Sequence, residues 1–599
     1  MKDKIENLLN DGYNFFQLNK FSDALIYFKK AYKLNNDYAK SLFLLGITHA
    51  ELNNLEEARK LLFKAALLEP NNYYIQYNTA KVFSDLNRDK DSIQYHQKAV
   101  ELNPNKYEGW LNFGLSYKKL QEYNLSLEYL KKALDINPDC YECYINLGDI
   151  FFELENYNEA INNYNLSLKL NPKNSKVITK VGVAYKHLQQ IEKAIEYHKK
   201  AINIDSEDPS AYANLGIAYR GIYKMDQSIE YLDLALKLDE EFQPALINKA
   251  IAYTDLNNYE YARNLYLKVL ELNQNNTEAS LNLAMLNLSN ENFSEGWNYW
   301  ESRWESKNFQ NYINTKKKYW NGKESDCNLL IVSEQGLGDQ ILYASMLEDA
   351  KKLCRKVYLT CDPKLEKIFK LSFSDINIIS NKNFDVSNPG NFFEYHIPIG
   401  SLGKFFRNHT DAFVSEKKAY LTDNIKITKN ISKKIIKDDS IICGISWKSS
   451  NKKIGKNKSI ELQDLNEVIN LKKIKFVNLQ YGNVTEDIKE FNKFSKNKII
   501  EHEDVDTTND IESLASLIKN CDFVLTTSNT TAHLAGALNV PTLVMAPRGK
   551  GKLFYWTASK DSTLWYSSVK IFRQDQNFTW NKTIKAVKNY IIDKFNIVS

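Results

Sequence analysis

Small and apolar positions recur with a period of 34 residues through the front half of the chain. The most regular set, which no insertion or deletion interrupts, is Gly12, Gly46, Ala80, Gly114, Gly148, Gly182, Gly216, Ala250 and Ala284. A second set of small residues follows twelve positions later, and prolines such as Pro70 and Pro104 end several repeats. Small residues let two antiparallel helices approach closely, and proline ends the second helix. The pattern therefore predicts an α-helical solenoid of about nine repeats over residues 1–305.

The back half follows a different pattern, in which short β-rich apolar runs alternate with helical stretches. The runs are Leu329–Ser333, Val357–Thr360, Ile442–Trp447, Phe476–Gln480, Phe523–Thr527 and Thr542–Ala546. Such alternation predicts parallel, doubly wound α/β sheets. It restarts near residue 440 after a lysine-rich stretch, so we expect two Rossmann-like halves that face one another across a cleft. The expected boundaries are 306–326 for a linker, 327–430 for the first half and 431–599 for the second.

Composition and charge narrow the class of protein. The chain has 599 residues, and 79 Lys and Arg nearly balance 74 Asp and Glu, which leaves a net charge of +5. An excess so small and so evenly scattered argues against a nucleic-acid or anionic-membrane partner. No stretch reaches about 18 uncharged apolar residues and the first residues carry no signal segment, so we expect no membrane span. Seven scattered cysteines favour reduced thiols and a cytoplasmic protein.

An asparagine recurs two residues before most members of the first small set. The positions are Asn10, Asn78, Asn112, Asn146, Asn214, Asn248 and Asn282. The repeats resemble the tetratricopeptide repeat, and the resemblance places this position on the concave face of the solenoid. A column of amides there can pair with the backbone of an extended peptide, as in the similar asparagine ladder of O-linked N-acetylglucosamine transferase. In the alternative interpretation each amide bonds neighbouring backbone. We expect a peptide-binding face that includes Asn78, Asn112, Asn146, Asn214, Asn248 and Asn282.

Two other features of the front half favour structural roles. Cys140 and Cys143 have the spacing of half a zinc site, but no second pair accompanies them, so no metal site is expected. The last repeat ends in an aromatic-rich segment, FSEGWNYWESRW, residues 293–304. Such a segment is typical of a hydrophobic plug that closes a solenoid and docks it on the next domain.

The first motif with candidate chemistry is SEQGLGDQ, residues 333–340, directly after the first predicted strand. Gly336 and Gly338 allow a tight turn from strand to helix, and Asp339 then lies at the start of the helix, beside the cleft. One interpretation makes Asp339 a general base that deprotonates an acceptor hydroxyl. The other makes it a helix cap only.

The second motif lies in residues 526–547, where a strand ends and a helix opens. Its polar residues are Ser528, Asn529, Thr530, Thr531 and His533. Small hydroxyl side chains and free backbone N–H groups at a helix start form a site for a pyrophosphate group. The alternative is that the threonines only cap the helix and His533 is satisfied within the fold.

The third motif is a lysine-rich loop after the strand Ile442–Trp447. Trp447 and Lys448 stand nearest the strand end, and we expect Lys448 to offer a cation to a phosphate or hydroxyl-rich ligand. The next strand delivers Gln480 and Tyr481 to the same edge. A further acidic stretch, 501–510, contains an Asp-x-Asp pair that we interpret as capping and solvation rather than as a metal site.

Five motifs appear in the same order as in a known group of enzymes: EQGLGD, SWKS, NLQ, AHLAGALNVP and WYSSVKIFRQ. Together they resemble the heptosyltransferase-like GT-B glycosyltransferases, and in particular bacterial proteins that fuse tetratricopeptide repeats to such a domain, flagellin glycosyltransferases among them. The resemblance implies a GT-B fold, a general-base role for Asp339, and donor-phosphate binding by Thr530, Thr531 and His533.

Three positions depart from the pattern of that group. Ser528 stands where many relatives have Asp, Lys458 where many have Arg, and Ser567 where many have Pro. The first substitution bears on donor choice or on activity itself. The second keeps a positive charge but loses the two-pronged geometry of a guanidinium group.

The function that follows is transfer of a sugar from a nucleotide-activated co-substrate to a protein or glycan acceptor that the repeats recruit. We expect an inverting, metal-independent reaction with no bound cofactor. The alternative is a non-enzymatic repeat scaffold with a degenerate glycosyltransferase domain. Another nucleotide chemistry is disfavoured because the chain has neither a Walker loop nor a G-x-G-x-x-G motif.

Overall fold

In the front half, the described residues form eighteen consecutive α-helices. The helices are α1 (Lys2–Gln17), α2 (Phe21–Leu34), α3 (Ala39–Glu51), α4 (Leu55–Leu68), α5 (Tyr73–Asp85), α6 (Asp89–Leu102), α7 (Tyr107–Lys119), α8 (Tyr123–Ile136), α9 (Tyr141–Glu153), α10 (Tyr157–Leu170), α11 (Ser175–His187), α12 (Ile191–Ile204), α13 (Pro209–Gly221), α14 (Met225–Leu238), α15 (Gln243–Asp255), α16 (Tyr259–Leu272), α17 (Thr277–Ser289) and α18 (Phe293–Trp300). The predicted helical solenoid is confirmed.

The small residues set the distance between paired helices. A Cβ atom added at Gly148 of α9 would lie 2.4 Å from the ring of Tyr164 on α10, so the two helices can touch only because that side chain is missing. The turn within each pair also repeats. Its left-handed residues, with φ between 57° and 64°, are Asn19, Asn53, Asn87, Gln121, Glu155, Gln189, Tyr223, Asn257 and Glu291.

The computed structural model describes residues 2–305, 313–435, 440–451, 454–557 and 560–597. Contacts between residues divide the chain into two compact units, 1–222 and 223–599. The first unit therefore holds the helices up to α13. The second holds the last helix pairs of the solenoid together with both sheets. No helix of the described residues combines the length and the apolar character that crossing a membrane requires.

The second unit contains a five-stranded, fully parallel sheet, which we call the first lobe. Its strands are β1 (Lys318–Tyr319), β2 (Asn328–Val332), β3 (Lys356–Cys361), β4 (Asn377–Ser380) and β5 (Tyr395–Pro398), in the order β1-β5-β2-β3-β4. Its helices are α19 (Leu337–Ala344), α20 (Leu347–Leu353), α21 (Glu366–Ser372) and α22 (Gly403–Phe406). Apolar runs such as β2, whose last four residues are buried, form the centre of the sheet.

A second parallel sheet, of six strands, forms the second lobe. Its strands are β6 (Ile441–Ser446), β7 (Ile474–Asn478), β8 (Ile499–Ile500), β9 (Phe523–Thr527), β10 (Thr542–Ala546) and β11 (Val569–Arg573), in the order β11-β10-β9-β6-β7-β8. Its helices are α23 (Ile425–Lys434), α24 (Gly455–Lys458), α25 (Asn466–Ile469), α26 (Thr485–Phe494), α27 (Ile511–Ile518), α28 (Thr530–Ala537) and α29 (Asn581–Phe595). The prediction of parallel α/β sheets is confirmed.

Part of the segment that the sequence assigns to a linker belongs to the first lobe. Residues 306–312 lie outside the described residues. Further along, β1 pairs with β5, and Trp320 is fully buried and donates its indole N–H to the carbonyl of Glu324 at 2.9 Å. A short strand of two exposed residues carries little hydrophobic pattern, which explains why the sequence did not reveal it.

The aromatic plug at the end of the solenoid joins the first lobe, as predicted. Trp297 is buried and donates its indole N–H to the carbonyl of Arg407 at 2.8 Å. Arg303, which is fully buried, donates to both carboxylate oxygens of Glu334, at 2.9 and 2.8 Å, and to Ser401 at 2.7 Å. Its guanidinium group also lies 4.4 Å from the ring of Trp304. This end of the solenoid is therefore fixed to the lobe by packing and by a buried ion pair.

Candidate functional site

The turn between β2 and α19 places Asp339 at the edge where the first lobe faces the second. Gln335 adopts a left-handed conformation, with φ of 62°, and Gly336 is the N-cap residue of the helix. The Gly336 N–H donates to Asp339 Oδ2 at 3.3 Å, so the carboxylate does cap its helix. Burial raises the pKa of Asp339 to about 6, although the Gly336 N–H and the charge of Lys458 act in the opposite direction. A carboxyl with this pKa suits proton transfer near neutral pH.

Helix α28 of the second lobe packs directly against α19. A Cβ atom at Gly338 would lie 2.8 Å from Cδ2 of His533, so a residue with a side chain would force the helices apart. Helices α19 and α28 thus approach closely at Gly338. Their contact brings the predicted residues Gly338, Asp339 and His533 together.

His533 is buried, and its partners keep its ring in place. Nδ1 lies 2.9 Å from the hydroxyl of Tyr566, and the ring stacks on Trp556 with 5.1 Å between the centroids. Burial lowers the pKa of His533 to about 3, and the nearby charge of Lys458 lowers it further. The imidazole is therefore neutral at physiological pH and contributes no positive charge to a phosphate.

Lys458, at the end of α24, supplies the positive charge on this side of the site. The residue is only 6% exposed, and its ammonium group makes no hydrogen bond or ion pair with another of the described residues. Burial lowers its pKa to about 8, whereas the carboxylate of Asp339 raises it. A buried cation without a bonded partner is costly, and a bound anion would compensate it.

Gln480 and Asn529, two predicted donor-binding residues, are occupied within the fold. Gln480 Oε1 accepts from Ser446 Oγ at 3.0 Å and from the N–H groups of Trp447 and Lys448 at 2.8 and 2.7 Å. Asn529 Nδ2 donates to Ser446 Oγ at 2.8 Å and to the Lys448 carbonyl at 3.1 Å. Together they cross-link the carboxyl ends of β6, β7 and β9.

The start of α28 is capped by the protein itself. The N–H groups of Thr531 and Ala532 donate to Asn529 Oδ1 at 3.0 and 3.4 Å. The expectation of free N–H groups at this helix start is therefore wrong for these two residues, because an asparagine cap takes the place of a ligand. Thr531 is buried, with its hydroxyl 3.4 Å from the Leu479 carbonyl, whereas Thr530 is half-buried in the first turn.

The other predicted donor-site residues, Trp447, Lys448, Tyr481 and Ser528, also have defined places in the second lobe. The side chain of Trp447 is fully buried in the core of the second lobe, where its indole N–H has no hydrogen-bond partner within the described residues. The ammonium group of Lys448 forms an ion pair with Asp487. The Tyr481 hydroxyl accepts the N–H of Ser450 at 3.0 Å and braces the loop after β6. Ser528 is buried beside the site and accepts the indole N–H of Trp556 at 2.8 Å.

Sequence reasoning missed three aromatic side chains and assigned no role to Lys458. Trp556 and Tyr566 hold His533, and Tyr343 lies close enough to Asp339 for that charge to act on it. The buried Tyr343 hydroxyl has no hydrogen-bond partner within the described residues. Tyr566 belongs to the motif WYSSVKIFRQ, which was the available signal. Trp556 had none, because its position depends on how a loop folds back over α28.

The recurring asparagines are partly satisfied by their own helices. Those whose Nδ2 donates to a carbonyl four residues earlier, at 2.8–2.9 Å, are Asn78, Asn146, Asn214 and Asn248. Asn112 instead donates to the Tyr77 hydroxyl at 2.7 Å, and Asn282 is half-buried. The alternative interpretation, bonding to neighbouring backbone, thus holds for four of them. Asn214 Nδ2 also lies 3.5 Å from the Ser210 hydroxyl.

In the first unit a groove of about 510 Å³ opens beside Asn214, at the level of α7 to α13. At its centre Asp149 accepts from Lys118 at 2.8 Å, from Lys180 at 2.5 Å and from the Tyr164 hydroxyl at 2.9 Å. Burial of Asp149 opposes its ionisation, but the two lysines bring its pKa below the ordinary value. The groove therefore carries fixed charges of both signs.

Family models for the tetratricopeptide repeat match much of the front half of the chain. The matched ranges are residues 15–82, 107–140, 141–174, 182–221, 209–242 and 243–276. The front half is a tetratricopeptide-repeat solenoid. Among curated proteins, the chain is similar to Protein FlbA of Caulobacter vibrioides, with 25% identity over 325 residues, which are 50% of this chain and 52% of FlbA. The match thus spans about half the length of that relative.

Solved repeat structures also align with part of the chain. A tetratricopeptide repeat protein from Parabacteroides merdae is 17% identical, with 42% of this chain and 99% of that one covered and a TM-score of 0.36. MamA from Desulfovibrio magneticus is 20% identical, with 29% and 97% covered and a TM-score of 0.28. YrrB, described as having an unusual peptide-binding site, is 21% identical, with 31% and 95% covered and a TM-score of 0.26.

Proposed function

We propose that this protein is a glycosyltransferase of the GT-B type, which moves a sugar from a nucleotide-activated donor to a protein or glycan acceptor. The observation that carries the proposal is the meeting of Asp339, from the first lobe, with Lys458 and His533, from the second. A carboxyl poised near neutral pH and a buried cation then face one another where the carboxyl ends of two parallel sheets converge.

Asp339 would act on the acceptor. Its carboxylate takes the proton of an acceptor hydroxyl as that oxygen bonds to the anomeric carbon of the sugar. The bond from the anomeric carbon to the diphosphate oxygen breaks at the same time, and the diphosphate leaves with its electron pair. Attack from the face opposite the leaving group inverts the anomeric centre. The Gly336 N–H holds the carboxylate in its orientation throughout.

Lys458 would stabilise the leaving diphosphate. The N–H groups of Thr531 and Ala532 are taken by Asn529, so the start of α28 contributes its dipole rather than these two direct hydrogen bonds. The ammonium group of Lys458 is the buried charge left to meet the anion. A cation in this position can neutralise a diphosphate without a metal ion, which is why we propose a metal-independent reaction.

The repeats would recruit the acceptor. Tetratricopeptide repeats support a role in protein interaction, and the groove beside Asn214 offers fixed charges of both signs to an extended polypeptide.

The test is calorimetric titration of the full chain with UDP, GDP, ADP, CMP and dTDP, followed by transfer assays with sugars of whichever nucleotide binds. We expect micromolar binding of one nucleotide, lost in Thr531→Trp because an indole cannot fit at a buried position. Asp339→Asn should abolish transfer and leave nucleotide binding within about threefold. Asp375→Asn, an exposed carboxylate of the same lobe, serves as the matched control.

A second candidate function, a non-enzymatic scaffold, draws support from Ser528. Where many members of the similar group carry an Asp, this chain has a hydroxyl that is committed to the Trp556 indole. If no nucleotide binds, while a polypeptide is retained by the groove, the scaffold is the better description.

A further inference from the structure

A narrow cavity lies in the second unit, between a solenoid turn and two loops of the second lobe. The solenoid side is the turn between α15 and α16, which includes Asp255. The lobe side is formed by the residues after β10, with Arg548 and Lys552, and by Arg573 at the end of β11. The cavity encloses about 20 Å³, enough for one group of the size of a water molecule.

The three cations around this cavity donate to neutral oxygens. Arg548 Nε donates to the Gln574 carbonyl at 2.6 Å, and Arg573 Nη2 donates to the carbonyls of Trp556 and Thr557 at 2.7 and 3.1 Å. Lys552 Nζ lies 3.2 Å from the hydroxyl of Tyr259 and 4.8 Å from the centre of its ring. These contacts hold the side chains in place without cancelling their charges.

Within the described residues, the lining of the cavity holds three cations and a single carboxylate, that of Asp255. Two positive charges are therefore in excess. Burial and the neighbouring guanidinium group of Arg573 lower the pKa of Lys552, while Asp255 acts in the opposite direction. Like charges gathered in a partly buried space repel one another, and an anion that enters between them removes the repulsion.

We propose that this cavity binds a phosphate group, free or carried by a phosphomonoester, between Arg548, Lys552 and Arg573. A phosphate dianion matches the excess of two charges, and its several oxygens suit two guanidinium groups and an ammonium group at once. Because the enclosed space admits only one oxygen-sized group, the rest of the phosphate lies toward the open side of the cavity.

A phosphate bound at this site would affect how the last repeats are attached to the second lobe. A phosphate there would contact the lobe directly and reach the solenoid turn through Lys552 and its partner Tyr259. Arg573 also bonds the carbonyl of Trp556, whose ring stacks on His533. Binding would therefore tighten the attachment of the last repeats to the second lobe. The lining of this cavity includes neither Asp339, Lys458 nor Thr531, so the proposal does not rest on the nucleotide-sugar site proposed above.

The experiment is calorimetric titration of the full chain with potassium phosphate at pH 7, against potassium chloride of equal ionic strength. We expect one saturable phosphate site, weakened at least tenfold in Lys552→Gln and in Arg548→Gln. Lys552→Arg, which keeps the charge, should retain binding. Lys585→Gln removes an exposed lysine of α29 and should leave binding unchanged. The same phosphate additions should raise the Tm of the wild-type chain, which requires no variant.

Further arms separate this site from the nucleotide site and identify the form of the ligand. Thr531→Trp should still bind phosphate. If Thr531→Trp loses phosphate binding while Lys552→Gln retains it, the anion lies between the lobes and the proposal is overturned. Binding no stronger than that of chloride would also overturn it. Glycerol phosphate that binds as tightly as inorganic phosphate supports recognition of a phosphomonoester, whereas inorganic phosphate alone supports the free ion.

Discussion

Replacing Arg303 with methionine tests how the solenoid is fastened to the first lobe. The guanidinium group is fully buried and makes two hydrogen bonds with Glu334, at 2.9 and 2.8 Å, one with Ser401 at 2.7 Å and one with Glu301 at 2.9 Å. Methionine keeps much of the apolar volume but offers no donor. Among the described residues, the carboxylate of Glu334, which is 8% exposed, then retains only the Gly400 N–H, at 2.7 Å.

The expected cost follows from that uncompensated charge. Removing one partner of a buried ion pair destabilises proteins by about 3–5 kcal/mol, because the remaining charge stays desolvated. Replacing both partners by neutral groups costs much less. We therefore expect Arg303→Met to lower the free energy of unfolding by about 3–5 kcal/mol, and the double variant Arg303→Met with Glu334→Gln to recover at least half of this loss.

Urea denaturation followed by tryptophan fluorescence measures the effect, because Trp300 and Trp304 lie beside the Arg303 guanidinium group and report on this junction. Arg355→Met, which removes an exposed partner of Glu394, is the control and should change the free energy of unfolding by less than 1 kcal/mol. A loss below 1 kcal/mol for Arg303→Met, or a double variant as unstable as the single one, would refute the reasoning.

Three further predictions concern the site between the lobes. Gly338→Ala should destabilise the protein by about 1–3 kcal/mol and lower transfer activity, because the new methyl group would collide with His533. Thermal unfolding and a transfer assay measure the two effects. An unchanged Tm would contradict the close contact between α19 and His533. The pKa of Asp339 in the folded protein, about 6, exceeds its ordinary value of 3.8, so protonation of Asp339 stabilises the fold at low pH. This stabilisation is lost as the pH rises through 6. Asp339→Asn should therefore abolish this decrease in the free energy of unfolding with rising pH. Lys458→Met should weaken nucleotide binding at least tenfold yet raise the Tm of the free protein below pH 8, whereas a lower Tm would mean that the fold already compensates this charge.

Much of the architecture could be predicted because its determinants are local. The 34-residue register fixed the helix pairs of the solenoid, and apolar runs such as β2 and β9 marked the sheets. The start of α19 was also readable, since two glycines and an aspartate directly follow a strand. Short strands with exposed residues, such as β1, leave no comparable pattern.

The choice of cation in the site could not be read from the sequence. Lys448 lies nearest the strand end, but its ammonium group forms an ion pair with Asp487, which lies 39 residues later in the sequence, on α26. Lys458 lies ten residues farther along, and only the folding of the loop carries it to Asp339. For the same reason Gln480 and Asn529 looked available for a ligand, whereas tertiary contacts between three strands occupy them.

The residues through which the last repeats contact the second lobe recur with the spacing of the repeats. Tyr223 stacks on Phe578 with 4.1 Å between ring centroids, and Glu291 pairs with Lys560 at 2.5 Å. Both occupy the same left-handed turn position, two periods apart. Gain or loss of whole repeats ahead of Tyr223 would leave these contacts intact, whereas loss of one between Tyr223 and Glu291 would shift them. Duplication or deletion of repeats ahead of Tyr223 can therefore lengthen or shorten the solenoid while the repeats that contact the second lobe stay constant.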